Sequence, residues 1–223
     1  MNKPLAVYKP KGPSSNQFLN RIRSLLNTKK IGHAGTLDPL ASGVLVIGIG
    51  REATKQLSSL IKKDKEYIAE IRFGQVSTTM DEEGEKEITC EKKPENFDLN
   101  KIKENLKNYI GEIKQMPPKY SALKINGQTA YKLARKGQEF ELKEREVIIY
   151  NIEVLEYEWP YLKIKVHCGS GVYIRSLAHD LGTSLDTGAY LSDLERTRVG
   201  EFKSNDAISL DNLKIKYDDN KQD

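Results

Sequence analysis

The sequence predicts a mixed α/β protein on three observations: apolar runs of strand length, apolar stripes at helical spacing that begin at capping residues, and glycine- or proline-rich segments between them. Ser14 or Ser15 caps a helix running to about Asn27, with Phe18, Ile22, Leu25 and Leu26 on one face. Val44, Leu45, Val46, Ile47 and Ile49 form a β-branched run that reads as a buried strand. Glu66 to Phe73 alternates, placing Tyr67, Ala69, Ile71 and Phe73 on the core side. Ser77 to Pro94 is acidic and polar, an exposed connection. Asp98 then caps a second helix with Leu99, Ile102, Leu106 and Ile110 in register, and Gly111 stops it. Val147 to Tyr157 and Tyr161 to Cys168 are strands joined through Trp159-Pro160, the second turning Leu162, Ile164 and Val166 inward. After Gly169-Ser170-Gly171 a helix follows, with Ile174, Leu177, Ala178 and Leu181 as its apolar stripe. The chain from Asp206 onward is polar and charged, and Tyr217 to Asp223 reads as a frayed tail.

A chain of 223 residues has room for one large domain and a sizeable core. Its net charge of +4 and pI near 8.8 suit a polyanionic partner without demanding one. Lys62, Lys63 and Lys65 fit a solvated face as well as they fit RNA contact. With two cysteines, no signal peptide and no membrane-length apolar stretch, the expected setting is a reduced cytoplasm. His33, Cys90, His167, Cys168 and His179 show no metal-ligand spacing, and His179 reads as a helix-surface residue.

The densest cluster of functional signals lies in Gly32 to Leu45. Gly32, Gly35 and Gly43 permit backbone angles or close approaches that a Cβ resists, and Pro39 biases Asp38 towards an extended conformation. Such a loop is suited to aiming one carboxylate. A plain Asx turn explains Asp38 alone, but His33, Thr36 and Asp38 crowd together on it. A phosphate cradle fits less well, because no Gly-Lys-Ser/Thr follows the glycines and the segment leads into a strand. From Gln115 to Glu146, basic residues interleave with aromatics: Tyr120, Lys124, Tyr131, Lys132, Arg135 and Lys136. That composition suits phosphate contact and base stacking, and a surface hairpin without a partner is the alternative. Arg175, in the first turn of its helix, meets the positive end of the helix dipole, which is unfavourable unless an anion compensates.

Six ordered motifs, spread over nearly the whole chain, resemble the TruB family of tRNA pseudouridine synthases. They are Lys9-Pro10-Lys11-Gly12-Pro13-Ser14-Ser15, Gly32 to Leu45 with Ile47-Gly48 and Ala53-Thr54-Lys55 behind it, Lys65-Glu66-Tyr67, Pro117 to Lys124 with Gly127 and Tyr131, Gly171 to Leu177, and Gly188-Ala189-Tyr190-Leu191 through Arg196-Thr197-Arg198-Val199-Gly200. The resemblance implies a pseudouridine synthase fold of α/β (α+β) type, with a central mixed, largely antiparallel sheet flanked by helices and a thumb insertion at about 115–146. It implies that Asp38 is the catalytic aspartate, that Tyr67 stacks on the target base, and that Arg175 pairs with Asp38 and keeps it ionised. His33 would pack against displaced RNA bases and Leu194 would line the pocket. Tyr173, Lys9, Lys124, Tyr131, Arg135 and Lys136 would contact substrate or RNA.

The implied substrate is uridine 55 in the T loop of tRNA, isomerised without metal, nucleotide or organic cofactor by a monomer needing no protein partner or membrane. Glycosidic cleavage through a C1′ adduct and cleavage through a glycal both remain open. Two departures stand out. Thr78 occupies a place where the family carries an acid, and the chain ends at Asp223, too early for the PUA-type RNA-binding domain of many members. The expected organisation is a catalytic domain over 1–210 and a polar tail over 211–223. A non-catalytic RNA-binding module would have no use for Asp38, Tyr67 and Arg175 together. A glycoside hydrolase would need a second carboxylate that does not stand out near Asp38.

Overall fold

The computed structural model describes residues 2–219, in which strands and helices follow one another along the chain. The first third comprises β1 (Leu5–Lys9), α1 (Ser15–Leu25), β2 (Ile31–His33), β3 (Ser42–Ile49), α2 (Gly50–Ile61) and β4 (Lys65–Phe73). Next come β5 (Gln75–Ser77), β6 (Lys86–Ile88), α3 (Leu99–Leu106), β7 (Gly111–Gln115), β8 (Lys124–Ile125), β9 (Gln128–Thr129) and α4 (Ala130–Arg135). The last are β10 (Arg145–Glu158), β11 (Tyr161–Cys168), α5 (Ile174–Ser184), β12 (Ala189–Val199), β13 (Phe202–Lys203) and α6 (Leu210–Asp219). The chain divides into two compact units, one reaching to Tyr67 and resuming at Leu194, the other Ile68–Asp193. Strands β4 and β12 run from one unit into the other.

In the first unit β3 is the spine. It pairs antiparallel with β1 and β2, and parallel with β12 through Ser42 and Gly43 against Glu195 and Arg196. Every residue of β3 is buried because helices cover both faces of its sheet. Leu45, Ile47 and Ile49 pack with Phe18, Leu19 and Ile22 of α1 and Leu213 of α6, while Val44 and Val46 pack with Leu57 and Leu60 of α2. A capping box starts α1: Ser14 accepts from the Gln17 N–H, and the Gln17 side chain accepts from the Ser14 N–H.

In the second unit β4, β11, β10 and β7 lie side by side, with β10 antiparallel to both neighbours. Ala69, Ile71 and Phe73 of β4 and Leu162, Ile164, Val166 and Cys168 of β11 are buried, as are Leu177, Ala178 and Leu181 of α5 and Ile102 and Leu106 of α3. Phe73, Phe97 and Trp159 extend this core, with ring centroids 5.1–6.2 Å apart. The sheet is thus mixed and largely antiparallel with helices on its faces, as expected.

Several local expectations are corrected. Leu25 is 37% exposed and its place in the core is taken by Leu19, because the buried stripe of α1 follows Phe18, Leu19, Ile22 and Leu26. Helix α3 stops at Leu106, so Ile110 is exposed, and Gly111, at φ +101°, opens strand β7. Strand β7 ends at Gln115 and strand β10 begins at Arg145, so the expected insertion is the segment 116–144 between them. The segment from Ser77 is not wholly an exposed connection, since it holds the buried Asp81. The expected polar tail begins with helix α6, anchored by the fully buried Leu213, with Tyr217 packed on the same core. The rest of the tail, 220–223, lies outside the described residues. Lys65 is buried, not part of a solvated lysine face, and donates to the Ile61 and Lys63 carbonyls.

Candidate active site

The loop between β2 and β3 carries Asp38, and its shape is held from outside itself. Inside the loop, the Asp38 carbonyl accepts from the Ala41 N–H at 3.1 Å, closing a turn across Pro39 and Leu40. Around it, Ser15 Oγ accepts from the Leu37 N–H at 2.8 Å and donates to the Leu37 carbonyl at 2.9 Å. The Pro39 carbonyl accepts from the Gly12 N–H at 2.8 Å. Arg196 donates to the carbonyls of Gly35, Thr36 and Val44. The N-terminal motif and a strand from the far end of the chain therefore meet on the same loop. Gly43 at the loop's exit has φ +105°, and a Cβ there would lie 2.3 Å from the Arg196 carbonyl oxygen. No other residue fits that crossing without displacing β12.

Asp38 is half-buried, Tyr67 in β4 is 7% exposed and Leu194 in β12 is 6% exposed, and all three belong to the first unit. Lys9, proposed from sequence as an RNA contact, is fully buried, and its ammonium donates to the Pro10 and Pro13 carbonyls at 2.9 Å each. It braces the N-terminal loop from within. His33 is half-buried, and its Nδ1 has no hydrogen-bond partner. Burial pushes the His33 pKa below its ordinary value; a backbone hydrogen bond with Gly35 opposes the shift, and the Arg196 and Arg23 charges add to it. Burial thus favours the neutral form of His33.

In the second unit Arg175 sits in the first turn of α5, 5% exposed. An anion beside it is Asp81: Nη1 lies 3.2 Å from Asp81 Oδ2, and both side chains are buried. Arg175 also donates to the carbonyls of Thr79 at 3.2 Å and Tyr120 at 2.8 Å. Asp81 in turn accepts from Thr79 Oγ1 and from the Glu83 N–H. Sequence reasoning passed over Asp81, whose polar neighbours disguise its burial. Gln115 mimics a strand neighbour to Tyr173, donating to its carbonyl at 3.0 Å and accepting from its N–H at 2.8 Å. Ser176 donates to the Met116 carbonyl at 2.7 Å. The turn that presents Tyr173 and Arg175 is thereby tied to the root of the insertion.

Within the insertion, Asn126 and Gly127 take φ +48° and +83° and close the β8–β9 hairpin, a local Asn-Gly signal that the sequence reading did not use. Lys124, Tyr131, Arg135 and Lys136 are exposed. The Arg135 guanidinium lies 4.9 Å from the centre of the Tyr131 ring, and Tyr120 packs edge-on to Tyr131 at 6.4 Å. His179 is only partly exposed, with a buried Nδ1, where sequence placed it on the helix surface. Among the described residues no three His, Cys, Asp or Glu side chains gather for a metal, and no helix is long and apolar enough to cross a membrane.

Residues 23–174 match the model of the TruB family pseudouridylate synthase N-terminal domain, and 175–223 that of the tRNA pseudouridylate synthase B C-terminal domain. The chain is 46% identical over 214 residues to tRNA pseudouridine synthase B of Francisella philomiragia, covering 96% of this chain and 70% of that protein. The Clostridium kluyveri protein of the same name is 42% identical, with 94% and 71% covered. Among solved structures, a chain from a Cbf5-Nop10-Gar1 complex superposes with a TM-score of 0.74 at 33% identity, covering 97% of this chain. One from an H/ACA RNP bound to a substrate RNA containing 2′-deoxyuridine superposes with a TM-score of 0.72 at 31% identity, covering 99% of this chain. The present chain spans 54% and 55% of the length of those two solved chains.

Proposed function

Because the chain belongs to the TruB family of pseudouridylate synthases, we propose that it isomerises uridine 55 in the T loop of tRNA to pseudouridine. The observation that carries this reading is the Asp38 loop, in which one half-buried carboxylate is presented on a backbone fastened by Ser15, Gly12 and Arg196. Aim of that kind has value only where a carboxylate must meet a reacting atom.

The target uracil leaves its stack, at a cost of a few kcal/mol, and is received by the buried face of Tyr67 and the apolar side chain of Leu194. Asp38 promotes cleavage of the glycosidic bond, by attack at C1′ or by assisting loss of the C2′ proton. The freed uracil, its N1 keeping the electron pair of the broken bond, rotates and bonds through C5 to C1′, displacing the Asp38 carboxylate from an adduct or joining the glycal as C2′ regains its proton; the C5 proton is then lost and N1 takes one up. Arg175 is the cation assigned to the Asp38 carboxylate, and Asp81 orients Arg175. Neutral His33 and Tyr173 pack on the displaced RNA. The exposed Lys124, Tyr131, Arg135 and Lys136 hold the T arm by charge and stacking. The protein works in the cytoplasm as a monomer, needing no second protein.

The test is site mapping. Purified protein and unmodified tRNA transcript, with nothing else added, should yield pseudouridine at position 55 and none in a transcript carrying cytidine there. Free uracil would identify a hydrolase. Tight binding without either product would identify a binding module.

A further inference from the structure

We propose that Arg196 is a positioning residue for the reaction, setting the direction of the Asp38 carboxylate through three main-chain carbonyls. This rests on Asp38 being the reacting carboxylate, as proposed above. The guanidinium is 1% exposed, and its Nη2 lies 3.1 Å from the Gly35 oxygen, its Nη1 3.3 Å from the Thr36 oxygen and its Nε 2.8 Å from the Val44 oxygen. Two of these carbonyls lie just before Asp38 and one lies beyond it, so a single rigid plane spans the loop from both ends.

Burying a cation on neutral carbonyls is an expensive way to stabilise a fold, since ordinary hydrophobic contacts would do that better. What a guanidinium adds is geometry. Its planar fork reaches several acceptors in fixed directions, which neither an ammonium nor an amide reproduces. The backbone of Arg196 is also locked, because β12 crosses β3 closely enough at Gly43 to exclude a Cβ. The base of the side chain and the three acceptors are therefore fixed relative to one another. Ser15 completes the clamp on Leu37, the residue before Asp38. The Arg196 charge is felt within this loop, where it helps to keep His33 neutral.

The test compares Arg196→Lys, Arg196→Gln, Ser15→Ala and Asp38→Asn by three readouts: single-turnover product formation with enzyme in excess, tRNA Kd, and the cooperativity and midpoint of melting. A misplacement of order 1 Å lowers rates by about 100-fold, so Arg196→Lys and Arg196→Gln should slow the chemical step by about 10- to 100-fold. Their tRNA Kd should remain near that of the unaltered protein. Ser15→Ala should slow the step in the same manner by a smaller factor. The proposal is overturned if the Arg196 variants react at the unaltered rate, or if their rate falls only in proportion to binding. It is also overturned if neither variant melts cooperatively, because arginine would then serve the fold and not the aim. An active Asp38→Asn would sink the reading beneath it; an inactive Asp38→Asn with a fast Arg196→Lys would sink the positioning role alone.

Discussion

The Asp38 loop and the insertion over 116–144 are both irregular, glycine-containing connections, yet they are held in opposite ways. The loop is fastened by residues remote in sequence: Gly12, Ser15 and Arg196 all bond to its backbone. The insertion is tied to α5 only at its root, where Ser176 and Arg175 donate to the Met116 and Tyr120 carbonyls, and beyond that it is fastened to itself, through Ala130 N–H to the Leu123 carbonyl, Tyr131 N–H to the Ser121 carbonyl, and Arg135 over the Tyr131 ring. Long-range fastening fixes a direction, whereas local fastening leaves charged side chains free to follow a polyanion. The first suits bond cleavage and the second suits grip, so damage to the two regions should be separable in kinetics.

The sharpest break expected is Asp38→Asn, which should lower the rate of product formation by at least about 10³-fold while leaving tRNA affinity close to normal. Asp81→Asn breaks the other buried anchor. Breaking the buried Arg175–Asp81 pair should cost about 3–5 kcal/mol of stability, read as a lower urea midpoint. Replacing Lys124, Arg135 and Lys136 together by alanine should weaken tRNA binding and reduce the slope of log K against log salt by about two to three, with stability unchanged. The smallest effect concerns His33. Its folded pKa lies below 6.5, so well above 6.5 both folded and unfolded forms are neutral and its contribution is complete. As pH falls below 6.5 the unfolded chain takes up the proton first, and stability is lost down to the folded pKa. His33→Asn should therefore flatten the fall in melting temperature between pH 7 and pH 5.

Much of this contrast was legible in the sequence where the determinants are local. The capping serine of α1, the two-faced apolar run of β3 and the alternation of β4 follow from near-neighbour chemistry, and so does the glycine-proline character of the Asp38 loop. The basic and aromatic side chains of the insertion were legible as well, because exposure was already encoded in their polarity. What escaped were partnerships across the chain. Asp81 reads as one more acid in a polar turn until Arg175 arrives beside it. Lys9 reads as a surface charge until the carbonyls of Pro10 and Pro13 enclose it. Leu213 sits in a charged segment, and only the packing of α6 on the β3 core shows why that helix forms. Arg196 lay within a motif, but its three carbonyl partners could not be read from spacing.

Single-turnover release of tritium from tRNA labelled at uracil C5, with enzyme saturating, tests the central claim most directly. Under those conditions binding defects vanish and only aim remains. The triple alanine variant of the insertion should then release tritium at the rate of the unaltered protein, while Asp38→Asn should release essentially none. Release by Asp38→Asn within about tenfold of the unaltered rate would contradict the account.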